Sequence, residues 1–296
     1  MKRTMPFPDR ASFFWAFGFQ PSSSKQRAAR TLSPHYVPTV SVVIPALNEA
    51  DNLPHVLPYI PPWVDEVLLV DGESTDGTDE VARQLLPDVR IIQQEGRGKG
   101  AALRSGFRAA RCDIIVMLDA DGSTAPDEIP AFVSALLSGA DFAKGSRFMQ
   151  GGGTADMPWY RRWGNRCFVW MVRLLFGGAY SDLCYGYNAF WADVLPRIQL
   201  DADGFEVETT MNVRALRAGL KVVEVPSFED KRIYGEGRLK TIPDGWRVLK
   251  AIVREWRAAR RAPKPVRHPV NAPSHRPAPN AERAGASRSA QIEHHA

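Results

Sequence analysis

Asp119-Ala120-Asp121 follows the hydrophobic run Ile114-Ile115-Val116-Met117-Leu118 and precedes Gly122. Carboxylates at alternate positions of an extended chain point the same way. At a strand end they suit a hard divalent cation, Mg²⁺ or Mn²⁺, which takes oxygen ligands and can bridge a diphosphate. An isolated Asp-x-Asp is more often a turn or a helix cap, so its neighbours decide. Val70-Asp71 closes another apolar run and continues into the polar loop GESTDGT, which lets backbone approach a base or ribose. A third run ends in Pro45-Ala46-Leu47-Asn48-Glu49. Three strand ends thus bring polar groups to one cleft. The glycine-rich segment Gly96-Arg97-Gly98-Lys99-Gly100 opens a helix, where backbone N–H groups and a lysine attract phosphate. Its spacing matches neither the P-loop nor the dinucleotide fingerprint, and a plain turn explains it as well.

The elements that must position these residues alternate in type. Short β-branched runs at 40–44, 65–70, 89–92 and 113–118 are separated by stretches of helical character, the pattern of βαβ units and a parallel sheet. Ala102, Leu103, Phe107 and Ala110 lie at helical spacing between Gly98 and Arg111, and Pro126-Asp127-Glu128 opens another helix with proline and acids in its first turn. Residues 220–225 read as a further strand, and an amphipathic helix runs from Pro243 to about Trp256.

The chain has 296 residues and a net charge of +5, unevenly placed. Residues 1–39 hold six Lys/Arg against one Asp, and 257–296 hold eight against two Glu, which leaves 40–256 at −6. An acidic body with basic ends argues against nucleic acid as partner and for an anionic membrane surface at the ends. The predicted organisation is a basic, largely irregular extension over 1–39, an α/β domain over 40–258 and a disordered Pro/Ala-rich tail over 259–296. Residues 12–19, SFFWAFGF, are too short for a membrane-spanning helix. Three cysteines without paired spacing suggest neither a disulfide framework nor zinc and fit a reducing cytoplasm. Four of six histidines lie in the tail, which disfavours histidine catalysis.

Taken together, SVVIPALNEADNL (41–53), VDGESTDGT (70–78), GRGKGAALRSGF (96–107), DADG (119–122), GSRF (145–148), RRWGN (161–165), YGYNAF (185–190) and Arg232-x-x-Gly235 resemble glycosyltransferase family 2, in its polyprenyl-phosphate hexosyltransferase branch. The resemblance covers about 40–255. It implies the GT-A fold, a mostly parallel central sheet flanked by helices, and metal-dependent transfer of a hexose from a UDP- or GDP-linked donor, with inversion, onto polyprenyl phosphate. By the same resemblance Pro45, Ala46, Asn48, Glu49, Asp71 and Lys99 hold the nucleotide. Asp119 and Asp121 meet the metal, Arg232 and Arg238 neutralise the departing diphosphate, and Arg147 and Arg162 bind the acceptor phosphate. The chain departs from the family pattern at Gly72-Glu73, where Asp-Gly is usual, and at Gly237-Arg238, where Ser-Lys is usual.

An ionised phosphate acceptor needs positioning more than a base. The alternative is a hydroxyl acceptor in polysaccharide, glycolipid or secondary-metabolite assembly, which requires a carboxylate base. Glu206 is the first candidate and Glu208 the second, although acids at a helix start are equally explained by the dipole. A sugar nucleotidyltransferase or a binding protein without activity fits less well, because PALNE stands where a glycine-rich phosphate loop would follow the first strand. Between Met157 and Trp191, eight Trp and Tyr residues accompany four arginines. Such a segment suits a lipid headgroup boundary, at the inner face of the membrane, as well as it suits a core helix.

Overall fold

The computed structural model describes residues 37–155 and 157–261. The expectations for the segments 1–36 and 262–296, including the irregular extension, the disordered tail and their membrane contact, lie outside the described residues.

Four parallel strands form one half of a seven-stranded sheet: β1 (Val40–Ala46), β2 (Glu66–Asp71), β3 (Arg90–Gln93) and β4 (Ile114–Met117). The sheet order is β3-β2-β1-β4-β7-β5-β8, with β5 at Phe142–Ser146, β7 at Asn188–Trp191 and β8 at Val222–Pro226. β7 runs antiparallel to both β4 and β5, while β5 pairs parallel with β8. The β-branched runs form the central strands because both faces are covered: Val42, Ile44, Leu68, Leu69, Ile115 and Val116 are almost wholly buried. The register Ile44↔Leu69 and Ala46↔Asp71 brings the polar residues after β1 and β2 to the same edge. Ser41 and Arg90 share Glu66 at the opposite end.

Helix α1 (Thr78–Leu85) follows β2, and α2 (Lys99–Ala109) packs on β1 and β2. Gly106 permits that approach, since a Cβ there would overlap Val43 and Val70. A 3-10 turn at Pro126–Glu128 leads into α3 (Ile129–Leu137), whose Phe132 stacks on Tyr187. A short parallel pair, β6 (Gly153–Thr154) with β9 (Phe228–Glu229), closes one side of the cleft.

The remaining helices are α4 (Trp159–Phe176), the short α5 (Leu195–Ile198), α6 (Val207–Arg217) and α7 (Thr241–Arg261). Val169 and Val172 of α4, Val213 of α6, and Val248 and Ile252 of α7 make a second apolar cluster beside the main core. Buried Glu255 joins α7 to Arg214 and Arg217 of α6. The last helix runs past the predicted Trp256 to Arg261, its largely exposed final turn continuing beyond the Glu255 ion pairs. No described helix is long and apolar enough to cross a membrane.

Candidate active site

The C-terminal edge of β1, β2 and β4 opens on a cleft of about 910 Å³. The chain after β4 carries Asp119 and Asp121 into it. Asp119 Oδ1 accepts from Lys99 Nζ at 2.6 Å, and the same ammonium reaches Glu208 Oε1 at 2.9 Å. Burial disfavours the charge on Lys99, but the two carboxylates outweigh it and hold the lysine above its ordinary pKa. For Glu208 burial prevails over Lys99, and its carboxyl is raised. Gly186 closes over this group; a Cβ there would stand 2.9 Å from Lys99 Nζ and 3.0 Å from Asp119 Oδ2.

Asp121 has a second cation. Arg232 Nη1 lies 3.4 Å from Asp121 Oδ2, and Nη2 lies 2.5 Å from Glu49 Oε2. Glu49 also accepts from Asn52 at 2.7 Å. Asp121 Oδ1 accepts from the Ser123 backbone N–H, fixing the turn after the carboxylate pair. Two cations thus sit among four carboxylates, an arrangement two charges short of neutral. Hard oxygen donors paired with too few side-chain cations fit Mg²⁺ or Mn²⁺ of the kind that completes its shell with water and substrate phosphate. Among the described residues no group of three or more His, Cys, Asp or Glu is placed to hold a metal ion.

Of the residues expected at the nucleotide, Pro45, Ala46, Glu49 and Lys99 line the cleft, joined by Gly72, Glu73 and Gln94. Asn48 and Asp71 instead build its loops. Asn48 Oδ1 accepts from Thr75 N at 2.8 Å, and its own N–H donates to Ser74 Oγ, in a backbone with φ of 51°. Asp71 is buried and accepts from the N–H groups of Glu73 and Ser74. Of the two readings of the glycine-rich start of α2, phosphate cradle or plain turn, the backbone fits the turn: the Gly100 and Ala101 N–H groups both point to the Asp203 carbonyl, at 2.8 and 3.4 Å. A nearby chain segment satisfies the helix start, and Lys99 turns to the carboxylates.

The acceptor side differs more from expectation. Arg147 lines the cleft, yet it is held by Asp182 at 2.7 and 3.0 Å and by both oxygens of Glu229 at 2.9 and 3.0 Å. Burial opposes its charge and these carboxylates more than restore it, leaving its pKa raised. Arg162 is exposed, stands over the Phe148 ring at 5.7 Å and does not line the cleft. Its neighbour Arg161 does, donating to Thr241 Oγ1 and the Leu239 carbonyl. Helical phase carried the signal: with Trp159 and Trp163 outward, position 161 turns inward. Arg238 reaches the Leu47 carbonyl across the cleft mouth. Glu206, the first candidate base, precedes α6 and accepts from the Gly204 N–H at 3.3 Å, outside the cleft lining, whereas Glu208, two residues on, is inside.

The aromatic segment divides between the two readings made of it. Tyr180, Tyr185, Tyr187 and Trp191 are core residues, while Trp159, Tyr160, Trp163 and Trp170 are exposed.

Residues 41–197 match the family described as glycosyl transferase family 2. Polyprenol monophosphomannose synthase of Mycolicibacterium smegmatis is 33% identical over 235 residues, covering 73% of this chain and 85% of the relative. Undecaprenyl-phosphate mannosyltransferase of Micrococcus luteus is 34% identical over 212 residues, covering 68% and 87%. Among solved structures, glucosyl-3-phosphoglycerate synthase of Mycobacterium tuberculosis, crystallised with Mn²⁺, UDP and glucosyl-3-phosphoglycerate, superposes with a TM-score of 0.60 at 24% identity over 76% of this chain and 85% of that one. That likeness bears out the GT-A fold. The family match spans the strand ends that carry Glu49, Asp71, Asp119 and Asp121 and stops before Glu208 and Arg232, so sequence kinship and cleft geometry meet on the same residues: this chain belongs to glycosyl transferase family 2.

Proposed function

We propose that the enzyme transfers a hexosyl group from a UDP- or GDP-linked donor, with inversion, to a polyprenyl phosphate at a membrane surface. The observation that carries this reading is the carboxylate pair of Asp119 and Asp121 facing the cleft, each held by a cation that has an alternative use on a diphosphate. The two mannosyltransferase relatives name the acceptor class, and mannose is the first sugar to test.

In this reading Pro45, Ala46 and Glu73 flank the nucleoside, with Asn48 and Asp71 holding their loops in shape. A divalent cation at Asp119 and Asp121 would neutralise charge on the donor diphosphate and its leaving group. Arg232 exchanges Glu49 and Asp121 for the diphosphate, and Arg238 closes the mouth beside Leu47; both oppose the charge that accumulates as the sugar departs. Arg161 lies on the α4 wall, where it can orient an acceptor phosphate, and Arg147, engaged by Asp182 and Glu229, shapes the cleft lining. An ionised phosphate attacks without a base, consistent with a Glu208 that is bound to Lys99.

The test measures nucleoside diphosphate release from a panel of UDP- and GDP-hexoses with Mn²⁺, adding a polyprenyl phosphate, a soluble hydroxyl acceptor or neither. Release that depends on the lipid phosphate is expected. Release driven only by the hydroxyl acceptor would reject the proposed acceptor.

A further inference from the structure

Large apolar side chains seldom stand alone on a surface in a coherent row without a partner. On α4, Trp159 is 79% exposed, Trp163 66%, Trp170 66% and Leu174 68%. Their spacings of four, seven and four residues place all four on one narrow stripe, roughly 22 Å long at the helical rise. Exposed Arg162 and Arg166 flank it, and α4 contains four arginines and no acidic residue. Arg161, on the same helix, donates to Thr241 at the start of α7, bringing Ile242, 84% exposed, and Trp246 to that end of the molecule. Lys250 lies over the Trp246 ring. The neighbouring face of α4's first turns, about 110° round the helix from the stripe, carries Tyr160, Gly164 and Phe168 and lines the cleft.

We infer that this stripe is a docking face for an anionic bilayer, lying flat in the headgroup region and setting the cleft mouth against the surface from which the acceptor is taken. The inference rests on the lipid-phosphate reading and assigns the face that serves it. Tryptophan places an apolar ring below the headgroups and an N–H among them, and arginine extends its charge to anionic phosphates from the same helix. A second copy of this chain would cover the rings equally well, but it would bring arginines against arginines, whereas an anionic surface complements them.

The full-length protein is tested by sedimentation with vesicles of phosphatidylcholine alone and with phosphatidylglycerol added, following tryptophan emission. Preferential binding to the anionic vesicles with a blue shift is expected. The triple variant Trp159→Ser, Trp163→Ser, Trp170→Ser should lose binding by about tenfold or more, and Arg166→Glu should remove part of the anionic preference. Circular dichroism and turnover with a short, water-soluble isoprenyl phosphate show that the triple variant is folded and active. Vesicle binding equal to wild type in that variant overturns the inference. So does a concentration-dependent dimer that the variant dissolves while vesicle binding stays unchanged. Absence of transfer to the short isoprenyl phosphate in wild type rejects the acceptor reading instead, and leaves the vesicle result to be judged separately.

Discussion

Two ion-pair clusters share one wall of this enzyme, built from the same residue types and closed to different degrees. Around Arg147 the carboxylate of Asp182 is wholly buried and the guanidinium 5% exposed, with Glu229 completing its bonds. Nearby Lys144 is fully buried and donates to the Gly145 and Tyr185 carbonyls. In the cleft, Asp119 and Asp121 keep 27% and 24% of their side chains accessible, and their cations are fewer than the carboxylates. A buried, satisfied pair resists change because losing one partner strands a charge in low dielectric. A partly exposed pair with unbalanced charge can exchange partners at little cost, which substrate and metal binding demand. The Arg147 cluster fixes the frame, and the cleft cluster is the part that reacts.

The comparison is sharpest at Asp121. Asp121→Asn should lower turnover by about 10³-fold while moving Tm by less than about 2 °C, read by nucleoside diphosphate release and thermal unfolding. Comparable loss of stability would mean that the cleft carboxylates are structural too.

Asp182→Ala probes the other cluster and should cost about 3 kcal/mol in urea unfolding, with Glu229 left to hold Arg147. Burial alone would raise the Asp182 pKa, but Arg147 prevails and it is lowered. A carboxylate lowered in the folded state contributes stability above its unfolded pKa and loses it as the pH falls through the folded value. The deficit of the variant should therefore be constant at neutral pH and shrink below about pH 4. A deficit that grows on acidification would reverse the assignment.

Lys99 separates exchange from simple bonding. In wild type, Mn²⁺ must displace the ammonium from Asp119, and a nucleoside diphosphate offers that ammonium a new partner. Titration calorimetry should show Mn²⁺ binding about tenfold tighter with the diphosphate present. In Lys99→Met, Mn²⁺ alone should bind more tightly than to wild type, and the gain from the diphosphate should shrink. An unchanged gain would remove Lys99 from the exchange.

Legibility in the sequence followed the range over which each feature is encoded. The parallel half could be read because β-branched runs and the polar residues after them are local: VSVVI, DEVLLV, VRII and DIIVML became β1 to β4 within a residue or two. β5 and β7 were missed, since Phe-Ala-Lys-Gly-Ser and Asn-Ala-Phe-Trp carry no alternation, and β7 pairs antiparallel with strands far from it in the chain. The carboxylate pair was legible for the same local reason. What failed depended on distant partners. Nothing in GRGKG announces that Asp203 caps its helix, nothing in GSRF that Asp182 and Glu229 surround Arg147, and Arg161 differs from Arg162 only by helical phase.

The smallest effect is expected at Glu206, and it discriminates most finely. Glu206 and Glu208 are both acids at the start of α6, two residues apart and therefore about 200° apart around the helix. That rotation puts Glu208 on Lys99 and Glu206 outside the cleft, where it meets the Gly204 N–H. Glu206→Gln should therefore keep turnover within about twofold of wild type, because the amide oxygen can still accept from Gly204. Glu208→Gln should weaken Mn²⁺ binding, since the Lys99 ammonium is then left with Asp119 as its ionic partner and is harder to displace. If Glu206→Gln instead abolishes turnover with donor binding intact, a base outside the described cleft lining is required. Proton removal would then be part of the reaction, and a hydroxyl would replace the phosphate as acceptor.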